Sequence, residues 1–103
     1  MRALEKLKPH YDLGTISATF SSVAGLRITK TALTTAEALG ITLQDIVDII
    51  QGMTREQFFK SMTSAWNSAV WQDVYHVAYE GLVLYVKFTT DAEGYLVISF
   101  KEK

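Results

Sequence analysis

The stretch LVLYVKFTTDAEGYLVISFK (residues 82–101) decides the fold, because apolar and polar residues alternate on both sides of one turn. An alternation with a period of two is typical of β-strands that are buried on one face. The residues between the two runs, Asp91 to Gly94, have the composition of a hairpin turn in which glycine takes the left-handed conformation. The sequence therefore predicts an antiparallel hairpin in this part of the chain.

The turn also predicts which residues of this hairpin lie opposite each other. If Asp91 faces Tyr95, counting outward along both strands pairs the polar residues of one face with one another. These pairs are Tyr85 with Lys101 and Lys87 with Ser99. The alternate residues are apolar, so we expect one face of the hairpin to join the core and the other to carry a tyrosine and two lysines.

Two further strands are predicted upstream, which gives four strands in the second half of the chain. Their expected ranges are 57–64, 70–78, 82–90 and 95–101. The first hairpin turns within SAWNS (residues 64–68), and a turn centred on Trp66 would place Lys60 directly opposite Gln72. A register that differs by one residue would place the two side chains diagonally, and the turn composition alone does not decide between the two.

The first half of the chain shows the helical period of 3.6 residues. Three helices are predicted, from Asp12 to near Gly25, from Thr29 or Thr31 to Gly40, and from Thr42 to Gly52. Helices followed by consecutive strands predict an α+β fold, in which N-terminal helices pack on an antiparallel sheet of about four or more strands. We expect a single domain over residues 1–103, whose first eleven positions (1–11) form a charged arm that is a candidate for flexibility.

The composition excludes several classes of protein. The 103 residues include no cysteine and two histidines, so neither a disulfide framework nor a thiolate metal site is expected, and no cofactor is predicted. No apolar run approaches the roughly 18 residues of a membrane span. The N-terminus lacks the apolar core of a signal peptide, and we expect a cytoplasmic location. Ten basic and eleven acidic residues give a net charge of −1, so an RNA site would depend on where a few lysines lie.

Taken one at a time, the polar residues of the sheet have ordinary explanations. Lysines on a solvated face are usually only solvated, and the same holds for Gln72. His76 shares the parity of Gln72 on its strand, yet a lone histidine on a sheet is more often a surface residue than a catalyst. Trp66 would pack against the sheet, with base stacking as a secondary interpretation. Spacing alone therefore predicts an α+β domain with a mildly basic sheet face.

Several segments together carry a resemblance to a known family. In order along the chain they are TALTTAEALG (31–40), FKSMT (59–63), WQDVY (71–75), YVK (85–87) and SFKEK (99–103). Together they are similar to the MqsR family of bacterial toxins (motility quorum-sensing regulator), and the likeness covers most of the chain from about Thr29 onward. His76 stands where the family pattern has an arginine.

The resemblance implies a RelE-like toxin fold and an endoribonuclease that cleaves mRNA without metal and without the ribosome, at G-C-U-type sites. Its implied partners are the mRNA substrate and a cognate antitoxin of the MqsA type. That antitoxin is a zinc-binding and DNA-binding protein which binds away from the active site. The products expected are a 2′,3′-cyclic phosphate or 3′-phosphate and a 5′-hydroxyl. The oligomeric state is left open.

The resemblance also implies which residues carry the chemistry. The family's functional positions fall on Lys60, Gln72, Tyr85 and Lys101. Further RNA contacts are expected at Lys87, Ser99, His76 and Trp66. In this reading the lysines stabilise charge on the phosphate and the tyrosine orients the 2′-hydroxyl.

Two other functions compete with this one. A non-catalytic RelE-fold module that binds RNA or protein would keep the lysines as phosphate contacts. A metal-dependent nuclease is disfavoured, because the acidic residues of the strands are not predicted to converge: Asp73 has the opposite parity to Gln72.

Overall fold

A computed structural model of the chain describes residues 4–63 and 69–103. The helices are α1 (Leu13–Thr19), α2 (Lys30–Leu39) and α3 (Leu43–Gln51), with 3-10 turns at Val23–Gly25 and Arg55–Gln57. The strands are β1 (Glu5–Lys6), β2 (Phe58–Thr63), β3 (Trp71–Tyr79), β4 (Leu82–Thr90) and β5 (Leu96–Glu102). They form one antiparallel sheet in the order β1-β2-β3-β4-β5, which confirms the α+β class. None of the helices in these ranges has the length and apolar character needed to cross a membrane.

The helix ends follow the capping residues of the sequence. The Thr42 hydroxyl accepts from the Asp45 N–H, and the Asp45 carboxylate accepts from the Thr42 N–H, so α3 begins in a complete capping box. Thr29 is the residue that caps α2, because its hydroxyl accepts from the Ala32 N–H. Gly40 ends α2 in the left-handed conformation, at φ 71°, as its position in the sequence predicts.

The first helix is shorter than predicted, since α1 ends at Thr19 and not near Gly25. The reason lies in α3. The side-chain amide of Gln51 donates to the carbonyl oxygens of Ser17 at 2.8 Å and Phe20 at 3.1 Å. These carbonyls would otherwise receive the next turn of helix, so a long-range contact that periodicity does not reveal ends the helix early.

Apolar residues of the helical half and of one sheet face form a single core. The helical half contributes Ile16, Phe20, Ala32, Ala36, Ile46 and Ile50, and the sheet contributes Tyr75, Val77, Leu84, Val86, Phe88, Ile98 and Phe100. The sheet residues alternate along each strand, so the side chains between them point away from the core. This second sheet face is the one that carries the predicted site residues.

The hairpin of β4 and β5 has the predicted register. Tyr85 pairs with Lys101 and Lys87 with Ser99. Gly94 takes a φ of 87°, and the Asp91 N–H donates to the Tyr95 carbonyl. The turn therefore closes as its composition indicates.

The conditional register of β2 and β3 is wrong. Lys60 pairs with Val74, and Gln72 pairs with Met62, so Lys60 and Gln72 are diagonal neighbours on the same face. The pairing differs by two residues from that of a turn centred on Trp66. A shift of two keeps every side chain on its own face, and therefore the alternation of apolar residues could not distinguish the two registers. Trp66 itself, with the rest of 64–68, lies outside the described residues.

A short strand at the N-terminus, β1, was not predicted. Glu5 pairs with Met62, and the Thr63 N–H donates to the Leu4 carbonyl at 2.9 Å. We call residues 4–11 the N-terminal arm. Two paired residues are too few to show a period, so the sequence gives no sign of this strand.

A buried carboxylate, that of Asp73 on β3, fixes the other end of the arm. It is 0% exposed and accepts from the Ser61 hydroxyl at 2.6 Å. It also accepts from the Tyr11 N–H at 2.9 Å and from the His10 N–H at 3.0 and 3.1 Å. A buried carboxylate needs such donors, and here two of them come from the backbone of the arm.

Candidate active site

A shallow concavity lies on the sheet face that points away from the core. Its volume is about 280 Å³, and its walls are formed by Phe59, Lys60, Met62, Gln72, Val74, Tyr85, Lys87 and Lys101. All four predicted catalytic residues are in this set, and so is Lys87. Ser99 is half-buried opposite Lys87 and does not line the concavity.

Four consecutive strands each supply one of these four residues. Lys60 comes from β2, Gln72 from β3, Tyr85 from β4 and Lys101 from β5. The Lys101 Nζ lies 5.6 Å from the centroid of the Tyr85 ring, directly across the strand pair. Strands in a sheet lie about 4.8 Å apart, so side chains from four neighbouring strands can address one extended ligand.

Lys60 is not free in this structure. Its Nζ lies 2.6 Å from the Glu5 Oε1 in an ion pair, with the Lys60 side chain 27% and the Glu5 side chain 55% exposed. The arm places Glu5 there, because β1 pairs with β2 beside Met62. Sequence reasoning missed Glu5, since only the unpredicted strand brings it to the site.

Lys87 is a half-buried lysine of the concavity, whereas Lys101 is exposed. Burial lowers the pKa of its ammonium, and the neighbouring charge of Lys101 lowers this pKa further. Lys87 therefore loses its proton more readily than an ordinary lysine.

Aromatic rings form a row across the same face. The Phe59 and His76 rings stack with centroids 4.3 Å apart at 27°, and His76 meets Tyr85 edge-on with centroids 4.7 Å apart at 61°. Burial lowers the pKa of His76, and the charge of Lys103 lowers it further, so the ring holds a proton less readily than an ordinary histidine. The Nε2 atom of His76 is buried and has no hydrogen-bond partner among the described residues.

Phe59 was also missed by the sequence analysis. Strict alternation puts Phe59 and Lys60 on opposite faces of β2, with Phe59 in the core. The structure has a β-bulge here, because Phe58 pairs with Tyr75 while Lys60 pairs with Val74, which leaves Phe59 as the extra residue. The bulge turns both Phe59 and Lys60 toward the concavity.

The arrangement provides positive charge, a phenol and an amide around an open surface. Such a surface suits a phosphodiester, whose non-bridging oxygens accept from ammonium groups. Within residues 4–63 and 69–103, no three histidine, aspartate or glutamate side chains converge as metal ligands would.

Comparisons with known proteins agree on one family. The family model described as "Motility quorum-sensing regulator, toxin of MqsA" matches residues 8–102. A relative, the mRNA interferase toxin MqsR of Escherichia coli (strain K12), is 33% identical over 100 residues. The aligned region covers 97% of this chain and 100% of that relative. The family match spans all three helices and strands β2 to β5, and thus every residue of the concavity.

Proposed function

The chain belongs to the MqsR family of toxins, and from that premise we propose that it is an endoribonuclease that cleaves messenger RNA. The observation that carries the proposal is the meeting of Lys60, Gln72, Tyr85 and Lys101 around one concavity, from four different strands. A single lysine on a sheet face is usually only solvated and would not indicate a binding site. Three lysines around a tyrosine form a site for a phosphate.

The reaction that fits these groups is attack by the 2′-oxygen of the RNA on the adjacent phosphorus. A bond forms between that oxygen and phosphorus, and the bond from phosphorus to the 5′-oxygen breaks. The products are a 2′,3′-cyclic phosphate and a 5′-hydroxyl. Lys60 and Lys101 stabilise the charge that develops on the non-bridging oxygens, and Tyr85 orients the attacking hydroxyl.

Proton transfer is the harder requirement, because lysine and tyrosine have ordinary pKa values of about 10. As the new bond forms, the 2′-hydroxyl gives up its proton to solvent. Lys87 is the best candidate for the proton donor to the leaving 5′-oxygen, and it regains its proton from solvent afterwards. Its lowered pKa, caused by burial and by Lys101, makes its ammonium a stronger acid than that of an exposed lysine. Gln72 donates to the phosphate or to a base.

The finer features of the activity rest on the family resemblance. We propose that cleavage occurs at G-C-U-type sites, needs neither a metal ion nor the ribosome, and stops translation. We also propose a cognate antitoxin of the MqsA type as the partner. That protein would bind away from the concavity and would carry any zinc itself.

The test is cleavage of a defined single-stranded RNA with one G-C-U site by the purified protein, with EDTA and without ribosomes. We expect cleavage, and a loss of about 100-fold in rate for Lys60→Ala, Tyr85→Phe and Lys101→Ala. Lys30→Ala on α2 removes the same charge from an exposed position away from the sheet face and is the matched control. If the three variants fold and keep the wild-type rate, the assignment is wrong. Binding without cleavage would support a non-catalytic module.

A further inference from the structure

A large apolar side chain is exposed at the rim of the concavity. Phe59 is 46% exposed, although its neighbour in the chain, Phe58, packs on the core residue Tyr75. The bulge in β2 is what turns Phe59 outward. Bulges re-aim side chains next to functional sites, and this bulge sets an aromatic ring beside the lysines of the concavity.

The ring of Phe59 is supported by the ring of His76. His76 stacks against it at 4.3 Å and is in turn braced edge-on by Tyr85. The buried Nε2 of His76 has no hydrogen-bond partner among the described residues, and the ring packs between those of Phe59 and Tyr85. Phe59 is therefore a flat aromatic surface that is backed by His76 and remains 46% exposed to solvent.

Two lysines lie along the row of rings that begins with Phe59. The Nζ of Lys60 lies 5.4 Å from the Phe59 ring centroid, and Lys101 lies at the far end of the row, 5.6 Å from the Tyr85 ring centroid. An apolar protein segment could cover an exposed phenylalanine equally well, but it would not make use of the lysines at the two ends of the row. A single strand of RNA presents both a flat base and the charged phosphate on either side of it.

We propose that Phe59, backed by His76, is a stacking subsite for one unpaired nucleobase of single-stranded RNA, next to the phosphate held by Lys60 and Lys101. This inference rests on the proposed function, since it places the substrate of that same site. Phe59 binds the base through its ring face. His76 is a positioning residue, which acts by holding the Phe59 ring and the Tyr85 ring in their relative orientation.

The test is binding of a short single-stranded RNA with one G-C-U site, whose cleaved linkage carries a 2′-deoxy sugar so that attack is blocked. Fluorescence anisotropy gives the Kd for the wild type, Phe59→Leu and Phe59→Trp. Loss of one base stack corresponds to roughly 5- to 150-fold in affinity. We expect Phe59→Leu to bind that much more weakly and Phe59→Trp to bind as the wild type does.

Two further measurements separate stacking from other effects. The slope of log Kd against log salt should be unchanged in Phe59→Leu and smaller in Lys101→Ala, because only the lysine releases counterions. An abasic nucleotide can also be placed at each RNA position in turn. We expect it to weaken binding by the wild type at the one position whose base stacks on Phe59. At that same position it should not weaken the binding of Phe59→Leu any further, because that stack is already lost.

The outcomes are distinct. If the wild type cleaves RNA and folded Phe59→Leu binds it with the wild-type Kd, the stacking subsite is wrong while the proposed function stands, and Phe59 would then be free to contact a protein. If the wild type neither binds nor cleaves RNA, the proposed function itself fails, and the subsite with it.

Discussion

Replacing Asp73 with asparagine is expected to release the N-terminal arm and to lower the free energy of unfolding. The carboxylate is fully buried on β3 and accepts from the Ser61 hydroxyl and from the backbone N–H groups of His10 and Tyr11. An asparagine side chain has nearly the same shape. It offers only one oxygen as an acceptor. Its NH₂ group would face N–H and O–H donors, from which it cannot accept a hydrogen bond.

The size of the effect follows from these contacts. Hydrogen bonds to a charged group contribute about 1.5–3 kcal/mol each, and a buried donor left without a partner costs about 1–3 kcal/mol. The N–H groups of the arm can return to water once it leaves the sheet, which recovers part of the loss. Ser61 is 0% exposed beneath the arm and recovers less. We therefore expect about 2–4 kcal/mol for Asp73→Asn in total.

The assay is urea unfolding at pH 7, together with hydrogen exchange of single amides. We expect the His10 and Tyr11 amides to lose protection in Asp73→Asn, while amides at the centre of β4 keep theirs. The matched control is Glu37→Gln, which removes the same charge from an exposed position of α2 and should change stability by less than about 0.5 kcal/mol. Wild-type protection of His10 and Tyr11 in Asp73→Asn, with a stability change no larger than that of the control, would refute the reasoning.

Three further predictions concern the sheet face. Glu5→Gln removes the carboxylate beside Lys60, so this variant should bind RNA up to about fivefold more tightly than the wild type at low salt. Near 1 M salt the two proteins should bind equally, because salt screens the charge. A ratio of the two Kd values that does not change with salt would contradict this prediction. Lys101→Ala should lower the cleavage rate about 100-fold and Lys103→Ala less than about threefold, and equal losses would show that total charge matters and position does not. The folded-state pKa of His76 is lowered by burial and by Lys103, so the unfolded chain binds a proton at this ring more readily than the folded chain does. The free energy of unfolding should therefore fall as the pH drops through 6.5 and below, and it should fall less steeply in His76→Gln. Parallel plots of unfolding free energy against pH for the two proteins would contradict this prediction.

The parts of the fold that the sequence predicts are those governed by local rules. The caps at Thr29 and Thr42, the stop at Gly40 and the hairpin around Gly94 all depend on residues within a few positions of one another. The register of β4 and β5 follows from such a turn, and so does the pairing of Tyr85 with Lys101.

The parts that escaped prediction depend on contacts between distant segments. Gln51 ends α1 from another helix, and Asp73 holds an arm about sixty positions away in the chain. The bulge at Phe59 breaks the alternation on which face assignment depends. Glu5 and Phe59 were therefore not predicted at the site. The site residues on stretches of strand with unbroken alternation were placed on the correct face of the sheet.

The origin of the site in four consecutive strands determines when, during folding, the catalytic groups come together. Lys60, Gln72, Tyr85 and Lys101 lie more than forty positions apart from first to last, and only the finished sheet brings them side by side. Each missing strand removes one of the four groups, so no partly folded copy retains the whole set. On the proposed function, the capacity to harm the host then depends on completion of the sheet, so folding itself limits when the toxin can act.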